Sequence, residues 1–302
     1  MKAARIAANL DPIRLQDLEG IAALQTRRDR KYLVPEAELT GILEAVDLRV
    51  LEIDGLRTFR YESVYFDTPD HTSYMAAAHR RRRRFKVRTR SYVDSGTSVL
   101  EVKTRERRGL TMKHRLPYEF TRRDALNHAA LEFIEGFELI APVLPDLRPS
   151  LTTRYRRTTL LDPASQSRVT IDTDLECISA DGSRVALHGV AIVETKTNGS
   201  PCGVDRLLWE NHHRPTKISK YGTGMAALTP SLPANKWNRA LRRYFGWSPR
   251  PEGPRTGRHS SSPKPVCATG NESSTATGGR AQQKASARLR RPRPLLEGAQ
   301  QP

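Results

Sequence analysis

Strict alternation of apolar and charged residues dominates the middle of the chain. Between Phe85 and Tyr92 the side chains of Phe85 and Val87 share one parity, and those of Lys86, Arg88, Arg90 and Tyr92 the other. A strand sends successive side chains to opposite faces, so this segment is predicted to have one apolar and one cationic face. The pattern returns with Leu100 and Val102 against Glu101, Lys103 and Arg105, and with Met112 and Leu116 against Lys113 and Arg115. It returns again with Val169 and Ile171 against Arg168, Thr170 and Asp172, and with Ala191 and Val193 against Glu194 and Lys196. One such strand reads as the solvated face of a half-exposed sheet. Five in phase predict a groove or tunnel lined by basic groups. Like charges so gathered repel strongly in a low-dielectric space unless an anion lies among them, so the pattern implies a polyanionic ligand.

Around these segments the remaining elements follow from periodicity and turn residues. Leu15, Leu18, Ile21 and Leu24 fall at helical spacing, and residues 27–34 read as a strand before Pro35 opens a helix carrying Leu39, Ile42, Leu43 and Val46 on one face. Residues 49–53 and 59–66 are predicted to pair as a hairpin through Asp54-Gly55. A second hairpin joins 85–93 to 97–105, and strands are expected over 111–120, 150–161, 168–178 and 189–197. Helices are expected over 124–139, 205–213 and 235–245. Lys217 and Lys220 lie at i, i+3, the spacing that brings two ammonium groups to one face of a helical turn, within reach of the same phosphate. About eight long strands with few helices predict an α+β fold: an antiparallel eight-stranded β-barrel with flanking helices and room for one small ligand.

Composition sharpens the ligand class. The chain has 302 residues and a formal charge of +18, from 51 Lys plus Arg against 33 Asp plus Glu. Residues 249–302 hold ten Lys or Arg and three Glu, so most of the excess belongs to the first 248 residues. That segment, rich in Pro, Ser, Gly, Arg and Gln, buries too little apolar surface to order itself, and a disordered basic tail is expected over 248–302. Few aromatics interleave with the strand cations, which places nucleic acid behind phosphorylated small molecules as a partner. Cys177, Cys202 and Cys267 are too dispersed for a disulfide framework or a metal pair, and the eight histidines show no ligand spacing. With no apolar run approaching the roughly twenty residues of a membrane span and no signal-peptide pattern, a cytoplasmic protein is expected.

Several segments resemble one family in consistent order from about Thr26 to Leu228. They are Lys31-Tyr32, Tyr65-Phe66-Asp67-Thr68, Lys86 to Tyr92, Leu100-Glu101-Val102-Lys103, Arg157, Arg168, Glu194-Thr195-Lys196 and Lys217-Ile218-Ser219-Lys220-Tyr221. Together they are similar to the VTC domain, the polyphosphate polymerase domain of the vacuolar transporter chaperone complex, which has bacterial relatives and belongs to the triphosphate tunnel metalloenzymes. The resemblance implies a VTC-like domain over 26–247, a helical lead-in over 1–25, and transfer of the terminal phosphate of ATP onto polyphosphate with Mn²⁺ or Mg²⁺ as cofactor. It implies that Lys31, Arg88, Arg90, Lys103, Arg157, Arg168, Lys217 and Lys220 hold the triphosphate, with Lys113 and Lys196 beside them. Lys31, Lys103, Lys220 and Glu194 are the expected catalytic set, and Glu194 is the expected metal ligand, a hard oxygen donor suited to either ion. Glu101 and Asp172, of the same parity as the cations, are read as charge balance ahead of the alternative, second ligands to the metal.

Arg28-Asp29-Arg30-Lys31-Tyr32 lacks the ExExK strand of the related CYTH triphosphatases, which weighs against a hydrolase of that type. Two alternatives stay open: a metal-dependent triphosphate hydrolase, and a non-catalytic module binding polyphosphate or inositol phosphates. No membrane segment accompanies the domain, which leaves room for a separate membrane partner protein.

Overall fold

The computed structural model describes residues 7–21, 28–105 and 111–248. Apart from Ser248 the expected basic tail lies outside the described residues, as does the Leu24 end of the first expected helix. The strands are β1 (Asp11–Ile13), β2 (Arg28–Pro35), β3 (Arg49–Leu51), β4 (Phe59–Asp67), β5 (Arg84–Tyr92), β6 (Thr97–Arg105), β7 (Thr111–Tyr118), β8 (Arg148–Asp162), β9 (Ser167–Ser179), β10 (Arg184–Leu187) and β11 (Val190–Thr197). The α-helices are α1 (Leu15–Ile21), α2 (Glu36–Glu44), α3 (Thr72–Ala78), α4 (His128–Glu135), α5 (Gly203–Glu210), α6 (Lys220–Leu228) and α7 (Asn238–Tyr244).

Eight strands form one antiparallel path, β2-β11-β9-β8-β4-β5-β6-β7, with β1, β3 and β10 attached at its sides. Alternation decides which way each strand faces. Along β5, Phe85, Val87, Thr89 and Ser91 are buried, while Lys86, Arg88, Arg90 and Tyr92 are partly exposed. Register carries that division across the sheet: Lys31 lies opposite Glu194, Asp172 opposite Arg157, Tyr155 opposite Tyr61, Ser63 opposite Arg90, Arg88 opposite Glu101, and Lys103 opposite Lys113. One continuous inner face therefore collects the charges.

The outer face is apolar and covered twice. Tyr32, Val34, Val169, Ile171, Ala191 and Val193 pack beneath Leu39, Leu43, Val204 and Leu208 of α2 and α5. Val64, Phe66, Phe85, Val87, Leu100 and Val102 pack beneath Ala130 and Ile134 of α4. Part of the inner face is apolar as well: Leu33, Tyr65, Leu151, Leu175, Cys177 and Ile192 receive Tyr221 and Met225 of α6, with Trp237 and Leu241 behind them. Each fully buried aliphatic side chain there contributes about 1.5–3 kcal/mol. Helix α6 sits so deep because it carries glycines: a Cβ at Gly222 would lie 2.3 Å from Trp237 Cζ2, and one at Gly224 2.7 Å from Cys177 Sγ.

The fold is α+β, a mostly antiparallel sheet with flanking helices, and the sheet is not closed. Among the described residues no ladder joins β2 to β7. Instead the segment before α6 runs along β2, where the Thr216 N–H donates to the Lys31 carbonyl at 2.7 Å. No helix of the described residues is long and apolar enough to cross a membrane.

Three local expectations change. Asp54 and Gly55 do take the positive φ values of a two-residue hairpin turn, 49° and 74°, but they join only an isolated bridge between Ile53 and Leu56. β3 pairs with β8 and β1 rather than β4, because β4 already has β5 on one edge and β8 on the other, while β8 extends past Phe59 to offer Leu160 and Leu161 to β3. Lys217 and Lys220 do not share a helical turn: Ser219 is extended, and its hydroxyl accepts from the Gly222 N–H, so α6 begins at Lys220. The helix expected over 124–139 shrinks to α4, which starts where the Asn127 side chain accepts from the Ala130 N–H and ends at Gly136.

Candidate functional site

Successive rungs of the inner face bring like charges side by side. Lys86, Lys103 and Lys113 lie in register across β5, β6 and β7, an arrangement that is destabilising in itself. The next rung inserts an acid: Glu101, 2% exposed, accepts from Arg88 Nε at 2.7 Å and Arg115 Nε at 3.1 Å, pairs with Lys113, and lies 3.8 Å from Arg90 Nε. Burial alone would favour the neutral acid, but Arg88, Arg90 and Lys113 hold its carboxyl well below the usual carboxylate range. Across the groove Asp172, 1% exposed, accepts from Arg157 Nε at 2.6 Å and Nη2 at 2.8 Å and also pairs with Lys220. Against its burial, these two cations depress its carboxyl in the same way. Glu194 accepts from Lys31 Nζ at 2.5 Å and, despite burial, is held below its ordinary value by Lys196 and Lys31.

The cations remain in excess, and two lysines register it. Burial, then Arg88 and Lys103, push the Lys86 ammonium down to about 7. Burial also pushes Lys113 to about 7, with Glu101 opposing and Arg90 and Arg115 adding to the fall. Lys103 is lowered by burial and Arg88 while feeling Asp29, Lys31 and Glu194, so β6 faces β2 and β11 across this space.

Helix α6 directs its N-terminus into the same space. Lys86 Nζ donates to the capping Ser219 Oγ at 2.9 Å, and Lys220 lies 4.3 Å above the Tyr155 ring. Tyr221 stacks on Tyr65 at 4.9 Å and donates to Asp67 Oδ2 at 2.5 Å, while the Asp67 carboxylate also accepts from the first turn of α3. The positive end of a nine-residue helix dipole thus adds to the lysines, an arrangement that attracts phosphate. On the inner face the hydroxyls of Ser63, Thr153 and Thr170 have no hydrogen-bond partner among the described residues, and Thr170 stands opposite Glu194.

Of the residues singled out from sequence, Lys31, Arg88, Arg90, Lys103, Lys113, Arg157, Lys220 and Glu194 come together here. Arg168 and Lys196 lie opposite each other one rung beyond the Glu194–Thr170 pair, toward the ends of β9 and β11. Lys217 lies beside β2, where it lines a cavity of about 450 Å³ with Lys31, Ser219, Lys236 and Trp237. Sequence reasoning did not single out Lys86 as a site residue, although its parity marked it, nor the Asp67–Tyr221 bond that seats α6, for which spacing gives no signal.

A family model for the VTC domain matches residues 26–229. No curated protein matches the chain in sequence. Similar solved structures include a putative adenylyl cyclase from Hippeastrum, described as revealing a dominant triphosphatase activity, at 15% identity and a TM-score of 0.39 over 66% of this chain and 94% of that one. A conserved hypothetical protein from Pyrococcus furiosus gives 12% and 0.34 over 62% and 88%, and a protein from Pyrococcus horikoshii 12% and 0.33 over 62% and 87%.

Proposed function

Because the chain belongs to the VTC domain family, we propose that it transfers the terminal phosphate of ATP to the end of a polyphosphate chain lying in the cationic groove. The bond between the γ-phosphorus and the oxygen bridging it to the β-phosphate breaks, and ADP leaves with that oxygen. A terminal oxygen of the acceptor polyphosphate forms the new bond to phosphorus, so the polymer grows by one unit. Such a step demands positioning and charge neutralisation more than covalent help. Arg88, Arg90, Arg157 and Lys220 would hold the triphosphate, while Lys31 and Lys103 would meet the transferred group from the facing strands. Lys113, Arg168, Lys196 and Lys217 would extend the contact along the chain.

Glu194 fits a divalent ion of the kind that binds phosphate. Mg²⁺ is usually held by one or two carboxylates together with substrate oxygens and water, and Mn²⁺ likewise favours oxygen ligands. A half-buried carboxylate, ion-paired to Lys31 and opposite an unpartnered Thr170 hydroxyl, offers oxygen donors of that kind. Bound there with ATP, Mg²⁺ or Mn²⁺ would neutralise the charge on the terminal phosphates. Lys31 and Lys196 keep Glu194 ionised for this purpose.

One observation favours transfer over hydrolysis. Glu101, Asp172 and Glu194 are all ion-paired and held below the ordinary carboxylate range, which makes each a poor base. Hydrolysis would have to activate water through the Lys86 or Lys113 amine or through a bound metal ion, whereas a polyphosphate end is already an oxyanion and needs no such activation. The reading extends to a catalytic unit over 26–247 between a lead-in (1–25) and a basic tail (248–302), to a cytoplasmic location, and to a separate membrane partner protein for any export. Incubating the full chain with ATP and Mn²⁺ and resolving the products on a gel tests it. A ladder of acid-labile polymer is expected; free phosphate without polymer would identify a hydrolase, and neither product a binding module.

A further inference from the structure

The arginine run of residues 80–84 is not used by the transfer reading, and its members separate by position. Arg80, Arg81 and Arg82 are exposed, and Arg83 points to the outer side, 3.9 Å from Glu138. Arg84 opens β5 directly opposite Arg105, one rung beyond Lys86 and Lys103 and on the same parity, so these two arginines continue the cationic face to its edge. Arg80 follows α3 with a left-handed φ of 55°. Lys236 is tied to the same corner, its Nζ donating to the Ala77 carbonyl at 2.9 Å. Burial, then the charges of Arg84, Arg80, Lys217 and Arg105, push Lys236 down to about 8. The cavity lined by Lys31 and Lys236 links this corner to the reaction ring.

The corner differs from the ring in one respect. Deep in the groove each cluster of cations has an acid, Glu101, Asp172 or Glu194. Among the described residues no carboxylate forms an ion pair with Arg84, Arg105, Lys217 or Lys236, and the cavity beside Lys217 and Lys236 sets one acid, Asp29, against the five cations Arg28, Arg30, Lys31, Lys217 and Lys236. Unbalanced cations brought together at an edge mark a place where an external anion supplies the missing charge. Arg84 and Arg90 are six residues apart on one strand, roughly 20 Å at 3.3–3.4 Å per residue, a span longer than a triphosphate.

We propose that Arg80, Arg84, Arg105 and Lys236 form a rim site that binds the part of a polyphosphate chain lying outside the reaction ring. This rests on the reading of the groove as a polyphosphate site and adds to it a stretch that only long chains reach. The chemistry favours polyphosphate over nucleic acid, because the aromatic neighbour of the rim, Trp237, is buried and offers bases no platform.

The test measures binding of tripolyphosphate and of long-chain polyphosphate to the full chain and to the triple variant Arg80→Gln/Arg84→Gln/Arg105→Gln. The wild type is expected to bind the long chain more tightly. The variant is expected to weaken long-chain binding roughly tenfold, about 1.4 kcal/mol, with a shallower salt dependence, while its tripolyphosphate affinity stays as before. Retained tripolyphosphate binding also shows that the variant is folded. A variant that keeps the long-chain preference, or loses both ligands equally, overturns the rim. A wild type that binds tripolyphosphate without preferring long chains overturns the rim and leaves the transfer reading standing. A wild type that binds neither overturns both. A single-stranded oligonucleotide of matched charge that binds as tightly, and is weakened equally in the variant, overturns the choice of ligand.

Discussion

Replacing Glu101 by glutamine is the most informative single change, because it keeps the shape of the groove and removes its central negative charge. Glu101 is 2% exposed and is shared by Arg88, Arg90, Lys113 and Arg115. Removing one partner of a buried ion pair costs about 3–5 kcal/mol, since the remaining charges stay desolvated and unmatched. That is a large part of the roughly 5–15 kcal/mol by which a domain is ordinarily stable. If the same cations hold a triphosphate, the ligand can supply the lost charge. At a concentration of 100 Kd it stabilises the folded state by about 2.7 kcal/mol, and by more where the freed cations bind it tighter. Urea unfolding followed by tryptophan fluorescence, with and without tripolyphosphate, measures both quantities. The variant is expected to unfold at clearly lower urea without ligand and to approach the wild type with it. An equal gap between the two proteins under both conditions would refute the reasoning, since Glu101 would then stabilise the fold without standing among ligand-binding charges.

Four further outcomes are expected. Glu194→Gln should lower ATP-dependent transfer by about 10²–10³-fold, the usual cost of losing one group that stabilises transition-state charge, and leave metal-free tripolyphosphate binding largely intact; a Mn²⁺ titration of the rate that matches the wild type would exclude the assigned role. Because Lys86 and Lys113 titrate near 7, tripolyphosphate affinity should fall as pH rises through neutrality, and binding at that pH should take up protons, detectable as a buffer-dependent heat; buffer-independent heats would count against it. The ligand-free protein should do the opposite and gain stability from about pH 7 to about pH 10.5, where the unfolded chain binds more protons at these lysines than the folded one. Gly222→Ala, whose new Cβ would lie 2.3 Å from the Trp237 indole, should lower stability by about 1–3 kcal/mol and weaken tripolyphosphate binding, whereas Gly41→Ala in α2, with nothing within 4 Å, should stabilise by about 0.5–1 kcal/mol; equal melting temperatures would contradict this seating of α6.

Parity made the charged face legible because a period of two is a local property: once Val87 is packed on the outer face, Lys86 and Arg88 are on the inner one wherever β5 goes. Partner choice is not local. The Asp54-Gly55 turn forms as its residues require, yet β3 leaves β4 because a strand has only two edges and both of those on β4 are taken. The alternation likewise gave no sign that the inner face is half apolar and filled by α6. Leu33, Leu151 and Ile192 look like ordinary core residues in sequence, and only register shows that they share a face with Lys31, Arg157 and Glu194. Lys236 was invisible for a related reason: it reaches the rim through the Ala77 carbonyl, which lies far from it along the chain.

The placement of α6 connects stability to ligand affinity. Its apolar side is held by Leu151, Cys177 and Trp237, so its N-terminus cannot retreat from the lysines, and Asp67 and Asp172 fasten Tyr221 and Lys220 on either side of it. Lys86 then depends on the same helix for its hydrogen bond to Ser219 while being depressed by the cations around it. Burial of the helix thus offsets the repulsion of a ring that is unfavourable when empty, and an anion that relieves the repulsion tightens the helix in turn. Substitutions that loosen α6 without touching a charge should therefore weaken triphosphate binding, because the ring is assembled only while the helix stays seated.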